Sequence, residues 1–351
     1  MMFWKRVQIL GLFHRTPIKA KKPKERTDPY LKYMGKYVLQ RFLLMLMTLM
    51  IITFMCFVLV RMLPLPILPS NDPHSEVIAA RREAMGYNKP YLVQFGIFLK
   101  RIFTGWDWGL SDKLYPGQEV GAVFLSKLPA TMVVNVYSII LSIPIGIALG
   151  VGAALKKNTW IDHTISTLTM VVISVPSFVF AVLLQYFVYF KWHLVDSPLM
   201  KAGTDWFSWA MFKSMILPVL SMSFGVIAGF MRTTRAELTE VLTSEFMLLA
   251  RTKGLTRAQA TVRHAFKNCM VVVVPSIFGQ FIGILGGSLI IERIFSIPGV
   301  GQMYLNSING PDYPIFMMLT VFYTAIGLVA GIVVDISYGF IDPRIRMGSK
   351  K

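Results

Sequence analysis

One stretch of this sequence gathers residues fit to act on a partner rather than on a covalent bond. It runs Thr243-Ser-Glu-Phe-Met-Leu-Leu-Ala-Arg-Thr-Lys-Gly254-Leu-Thr-Arg-Ala-Gln-Ala-Thr-Val-Arg-His-Ala-Phe-Lys-Asn268. Ser244 is placed to cap a helix whose first turn holds Glu245, a negative charge at the positive end of the helix dipole. That helix presents Phe246, Leu249 and Ala250 on one side and stops at Gly254, a residue favoured just past a helix end. Thr256 followed by Gln259 is a capping-box signature for a second helix, which continues through Arg263, His264 and Lys267 toward Pro275. A short helix, a glycine bend and a second helix make a docking element. Phe246 and Leu249 would be its apolar anchors, and Ala250 and Gly254 would allow close backbone approach. The same residues also suit an amphipathic loop resting on lipid headgroups, and physical chemistry leaves both readings open.

Residues for bond-making chemistry are sparse. No G-x-x-x-x-G-K-[ST] phosphate loop occurs, and the glycine-rich run Gly146–Gly152 is followed by Ala153 rather than a Lys-Ser pair. His264 has no partner at ligand spacing. Met45–Met50 and Met317-Met318 are consecutive, a pattern of adaptable packing. Cys56 and Cys269 give no disulfide framework. We therefore expect no catalytic residue, no metal site and no cofactor. Asp335 lies in a long apolar segment, where a structural hydrogen-bonding role stands beside a transport role. Glu292 and Arg293 stand where an apolar segment ends, and a structural pairing is favoured there over guidance of a zwitterionic solute.

The elements that must position these residues are membrane spans. Of 351 residues, 54% are hydrophobic and only 15% charged, against about 25% charged in ordinary soluble domains. A span needs about 20 apolar residues to cross a hydrocarbon core. Stretches at 38–62, 130–155, 165–190, 214–231, 270–291 and 315–340 qualify, and Trp209–Met211 extends the fourth. Pro144, Pro176, Pro218 and Pro275 lie within or at the ends of four of them, as bundled membrane helices tolerate. The fold class is all-α, a polytopic membrane bundle of about six transmembrane helices.

Charge gives the direction. With a cytoplasmic N-terminus, the inner segments hold 24 of the 36 Lys and Arg, so both termini are expected inside. The net charge of +18 then belongs to cytoplasmic loops and anionic lipid rather than to nucleic acid. Residues 1–37 form a basic cytoplasmic tail and 38–351 the membrane domain, with a first outer loop at 63–129 and a cytoplasmic loop at 232–269. The tail has an interfacial pattern in Phe3, Trp4, Val7 and Leu10, followed by the basic run Lys19–Arg26. Small residues four apart (Gly146/Gly150, Gly225/Gly229, Gly279/Gly283/Gly287, Gly327/Gly331) suit close helix contacts.

The loop also carries a family pattern. Glu245-Phe246, Ala250, Lys253-Gly254-Leu255, Arg263-His264-Ala265 and Asn268 resemble the EAA-type coupling motif of ATP-binding-cassette importer permeases. The order and spacing are similar to the dipeptide, oligopeptide and nickel branch. Tyr37-Val-Leu-Gln-Arg41, Leu128-Pro129-Ala130-Thr131, Ile173-Ser-Val-Pro-Ser-Phe178, Gly286-Gly287-Ser288, Pro298-Gly299-Val300-Gly301, Asp312-Tyr313-Pro314 and Asp342-Pro343-Arg344 extend the resemblance over nearly the whole chain. Trp106–Ser111 departs from the family's usual glycine-aspartate-leucine-glycine segment, and the basic tail is longer than usual.

The resemblance implies a type I importer permease fold in a bacterial or archaeal cytoplasmic membrane. It implies a second homologous permease, two ABC ATPase subunits and an extracytoplasmic solute-binding protein as partners, with ATP hydrolysis left to the ATPases. It implies that Glu245, Phe246, Leu249, Ala250, Lys253, Gly254, Leu255, His264 and Asn268 couple to the ATPase. Asp335, Asp342 and Arg344 would be structural polar residues near the membrane. The expected cargo is di- or oligopeptides, with nickel or oligosaccharides as alternatives. An ion-gradient transporter is the rival class, but it would require buried ionisable relays that these spans lack. A non-transport scaffold would not need the coupling pattern.

Overall fold

The computed structural model describes residues 29–63, 75–201, 203, 205–283 and 288–341. Contacts divide the chain into two units, residues 1–40 and residues 41–351. Among the described residues there is no strand, and the elements are α1 (Pro29–Met62), α2 (Ser75–Ala84), α3 (Tyr91–Gly105), α4 (Val120–Leu155), α5 (Trp160–Ser174), α6 (Ser177–Leu184), α7 (Trp209–Leu242), α8 (Glu245–Thr252), α9 (Arg257–Ala260), α10 (Phe266–Gly283), α11 (Leu289–Ile294), α12 (Val300–Asn309) and α13 (Tyr313–Ile341). Wide π turns at Gln185–Lys191 and Thr261–Ala265 extend α6 and join α9 to α10.

Five helical stretches are long and apolar enough to cross a membrane, and a bent pair, Trp160–Ser174 with Ser177–Lys191, makes a sixth. Their boundaries differ from the sequence expectation in four places. The fifth span, expected at 270–291, has its helix α10 over Phe266–Gly283, and Leu289–Ile291 belong to the separate helix α11. α4 begins ten residues early, at Val120, because Pro129 sits inside the helix rather than ahead of it. α7 runs on to Leu242, so the loop expected from residue 232 starts instead at Thr243. The third span is not a straight helix but turns by 96° at Val175-Pro176. Proline there removes an N–H and pushes Val175 into the extended region (ψ 122). Pro144, Pro218 and Pro275 stay within α4, α7 and α10.

The seam of α4 with α7 is the spine of the bundle. The two helices run parallel, with Ser138 beside Ser223 (3.2 Å between hydroxyls) at one level. Lower down, a Cβ on Gly146 would lie 2.7 Å from Phe230 Cβ, and one on Gly150 would lie 2.7 Å from the Met231 carbonyl. Only glycine lets the backbones approach so closely. One turn further, Arg235 clamps Asp162 of α5 through Nε at 2.5 Å and Nη2 at 2.8 Å. The Asp162 carboxylate also accepts from the Asn158 N–H and the Ser166 hydroxyl. The lower half of α7 is thereby fixed to α4 and α5 immediately before the loop begins.

The opposite end of the bundle is closed by buried carboxylates. Glu292 is 2% exposed and accepts from the Thr131 hydroxyl at 2.8 Å and the Gln302 N–H at 3.0 Å. Thr131 in turn accepts from the Val300 N–H, so α4 is tied to α11 and α12 at one point. A Cβ on Gly299 would collide with both Glu292 and Thr131. Burial pushes the Glu292 carboxyl up to about 7, against its hydrogen bonds, which lower it. Asp312, fully buried, accepts from the Ser111 hydroxyl at 2.6 Å and from the Lys113 and Leu114 N–H groups at 3.0 Å. That bond fastens the segment leading into α4 to the start of α13. Next to it Arg82 pairs with Asp112 at 2.7 Å.

Candidate coupling surface

The helix expected at Glu245 begins there, but by another route. The Ser244 hydroxyl donates to the Val241 carbonyl at 2.7 Å instead of capping α8. Extended backbone at Ser244 and the Glu245 charge in the first turn remain as the start signals. Phe246, Leu248 and Leu249 are 44%, 62% and 55% exposed. Met247 and Ala250 are buried among Leu238, Ala260, Ala265, Cys269 and Val273.

This corrects one expectation. Ala250 does not share the outward face of Phe246 and Leu249; it faces the bundle. In a helix of two turns, Met247 and Ala250, three apart, define the buried line, and the residues beside them point away. Ala250 thus fixes the helix to its support, and of the two small residues only Gly254 is open to the outside.

Gly254 has φ +88, and a Cβ there would meet nothing within 4 Å. The turn needs glycine for its backbone, since this chain itself leaves the space open. The Gly254 N–H donates to the Arg251 carbonyl and the Leu255 N–H to the Ala250 carbonyl. Leu255 then packs back against the core cluster. The capping box expected at Thr256 and Gln259 is present in both directions, at 3.3 and 3.1 Å. At the wide turn that follows, His264 meets Phe246 edge to face, ring centroids 5.6 Å apart. His264 is therefore a polar contact that braces the exposed phenyl ring.

The result is a rigid, outward platform. Its centre is apolar, with Phe246, Leu248, Leu249 and Val262 exposed. Arg251, Lys253, Arg257, Arg263 and Lys267 surround it, all exposed, with Glu245 the single acidic residue of the loop. Asn268 is exposed where α10 begins. An apolar patch with a cationic rim suits a groove with an acidic rim.

Comparison with known proteins decides the family. The model described as "Binding-protein-dependent transport system inner membrane component" matches residues 142–347, and the one for the N-terminal part of such membrane components matches residues 34–143. The chain belongs to this family. It is 34% identical to the dipeptide transport system permease protein DppB of Bacillus subtilis over 321 residues, 90% of this chain and all of that protein. It is 33% identical to the DppB of Lactococcus lactis over 316 residues, 90% of this chain and again the whole relative. With the oligopeptide transport system permease protein OppB of Escherichia coli K12 the identity is 34% over 314 residues, 89% of this chain and the whole relative.

As a member of this permease family the chain is a multi-pass membrane protein, and the residues that resemble the coupling motif lie together in this helix–turn–helix, Ala250 and Leu255 on its inner side. Of the polar residues expected near the membrane, Asp335 pairs with Arg41 at 3.2 Å, both side chains partly exposed. Asp342 and Arg344 lie outside the described residues, as do Gly286, Gly287 and the tail up to residue 28. Sequence reasoning passed over Asp162 and Arg235. Their only signal was a carboxylate two residues into one helix and an arginine near the end of another.

The glycine pairs divide into two kinds. Gly146 and Gly150 hold the α4–α7 seam, and Gly279 lies against Val334. Around Gly225, Gly229, Gly283, Gly327 and Gly331 nothing lies within 4 Å of an added Cβ. Gly225 and Gly229 line a groove of about 320 Å³ with Thr233, Ser276 and Gln280.

Proposed function

We propose that this chain is a permease subunit of an ATP-driven, binding-protein-dependent importer of di- or oligopeptides, and forms half of the translocation path. Its membrane would be the cytoplasmic membrane of a bacterium or archaeon, with both termini and the 243–269 loop inside. The observation that carries the reading is the pinned platform: exposed Phe246 and Leu249 on a helix whose other face is locked into the bundle. A helix held in this way passes on a push instead of absorbing it. Closure of two ABC ATPase subunits on ATP would carry α8, and with it α7, α4 and the Arg235–Asp162 clamp, from the inward-open to the outward-open arrangement.

The second permease and the path fit the open groove between α7 and α10. Thr233, Ser276 and Gln280 are polar groups on spanning helices, and such groups are costly against lipid. Facing a second subunit across a hydrated path, they would find partners, and an extracytoplasmic binding protein would deliver cargo at the opposite end. The names of the relatives support peptides over nickel or oligosaccharides.

The test is uptake of labelled di- and oligopeptides by cells lacking the gene and carrying it back as wild type or as Gly254→Trp. Wild type should restore uptake. Gly254→Trp should insert normally and transport nothing, because its side chain fills the space a partner needs. Normal uptake by Gly254→Trp would refute the coupling role.

A further inference from the structure

Among the described residues nothing covers one face of α3, and its depth in the molecule shows what does. Its inner side packs on membrane-spanning helices: Phe95 meets Phe54 and Phe57 of α1, with ring centroids 5.1 and 5.4 Å apart. Met317 of α13 joins the same cluster. The level is set by Arg61, whose guanidinium stacks over Phe57 and, at 3.5 Å from the centroid, over Tyr87. With about 1.5 Å rise per residue, the backbone at Phe57 and Phe54 lies about 6 and 10 Å below that at Arg61. α3 therefore runs alongside the apolar part of α1, at the depth where interfacial helices seat, about 5–10 Å into the headgroup and acyl boundary.

The pattern along α3 agrees with that depth. Leu92 and Phe103, eleven residues or three turns apart, form one edge of the helix with exposed Gly96 between them, while Leu99 packs inward against the Phe57, Phe95 and Met317 cluster. Leu92 and Phe103 are 73% and 80% exposed. Lys100 and Thr104, also exposed, lie on the adjoining edge. Tyr91 and Trp106 stand at the two ends, 45% and 53% exposed, as aromatic residues do at membrane interfaces. On the far face of α1, at the same depth, Met55 and Leu59 are 57% and 61% exposed. A membrane that covers these residues extends to α3.

We propose that α3 is an interfacial membrane helix on the side opposite the 243–269 loop, with its Leu92–Phe103 edge in the outer part of the acyl region and Lys100 at the phosphates. The side follows from Trp108, which packs on Phe98 of α3 in the segment leading into the first turn of α4, the end remote from the loop. The inference rests on the membrane character of the chain and not on its cargo. It makes α3 an anchor that holds the outer ends of α1 and α13 at a fixed depth.

The experiment is spin labelling of the full chain in its complex, reconstituted in lipid nanodiscs, with Cys56 and Cys269 replaced by alanine. Single cysteines replace Leu92, Lys100, Phe103 and Thr104 in turn, and collision with oxygen is compared with collision with a water-soluble nickel chelate. Leu92→Cys and Phe103→Cys should favour oxygen several-fold over Lys100→Cys and Thr104→Cys. High nickel access at all four positions would place the helix in water and overturn the proposal. Low access to both reagents at Leu92→Cys and Phe103→Cys would overturn it as well, by showing protein cover from a second permease or a binding protein. These positions are exposed, so the substitutions leave the packing intact, and elution of each labelled complex at the wild-type volume checks it.

Discussion

The two ends of the bundle are built on opposite plans. At the Glu292 and Asp312 end, carboxylates are buried and their hydrogen bonds are satisfied within the chain. At the 243–269 end, α8 turns Phe246 and Leu249 outward and keeps Met247 and Ala250 for its own support. The first plan serves rigidity, because a buried carboxylate without its donors is costly. The second leaves apolar surface for a partner to cover. Between them the α4–α7 seam joins the two ends, as the proposed lever requires.

Mutations should separate the two ends. The largest effect is expected at the fixed end. Glu292→Ala leaves the Thr131 hydroxyl and the Gln302 N–H without their acceptor, a loss of about 1–3 kcal/mol for each buried donor left unsatisfied. The purified protein should melt far lower or fail to accumulate, as fluorescence-detected size exclusion will show. Asp312→Ala should behave alike. A normal melting profile for either variant would break the contrast.

At the pushed end the fold should be untouched and the coupling lost. Phe246→Ala and Leu249→Ala remove exposed side chains, so yield and melting should match wild type. As buried anchors in a partner groove each would be worth roughly 2 kcal/mol, about 30-fold in affinity. ATPase stimulation by the binding protein, measured in the reconstituted complex, should fall accordingly.

A smaller effect sharpens the contrast through pH. Burial lifts Glu292 from an ordinary value of 4.5 to about 7, so the folded chain keeps a proton that the unfolded chain has already released. The stability this gives is complete below about pH 4.5 and is lost as pH rises through about 7. Melting of the wild type should therefore decline from about pH 5 to about pH 8 more than that of Glu292→Gln. The smallest effect is local: Gly254→Ala at φ +88 should cost about 1 kcal/mol. Gly254→Asn, which tolerates that conformation, should cost less by the same melting assay.

How much of this was legible in the sequence follows the same division. The loop's helix, glycine bend and capping box are local, set by residues within a few positions of each other, and Gly254, Thr256 and Gln259 stand as read. The spans were legible from apolar runs alone. Ala250 was misread because on so short a helix the inward line depends on what lies beneath, here Leu238 and Ala260. The 96° turn at Pro176 was not distinguishable from the tolerated prolines at 144, 218 and 275. The carboxylate sites were hidden by distance: Glu292 meets Thr131 across 161 residues, and Asp312 meets Ser111 across 201. Periodicity carries no trace of such pairings. For Glu292 its place at the end of an apolar segment favoured a structural pairing, without naming Thr131 or Gln302 as the partners.

The central claim is that the loop's outward face belongs to a protein partner and not to lipid headgroups. A photo-crosslinking residue at Leu249 in the intact membrane tests this most directly. The account requires a crosslink to an ABC ATPase subunit, altered in yield when ATP is trapped on that subunit. Crosslinks to lipid alone, with the importer complex present, would contradict it.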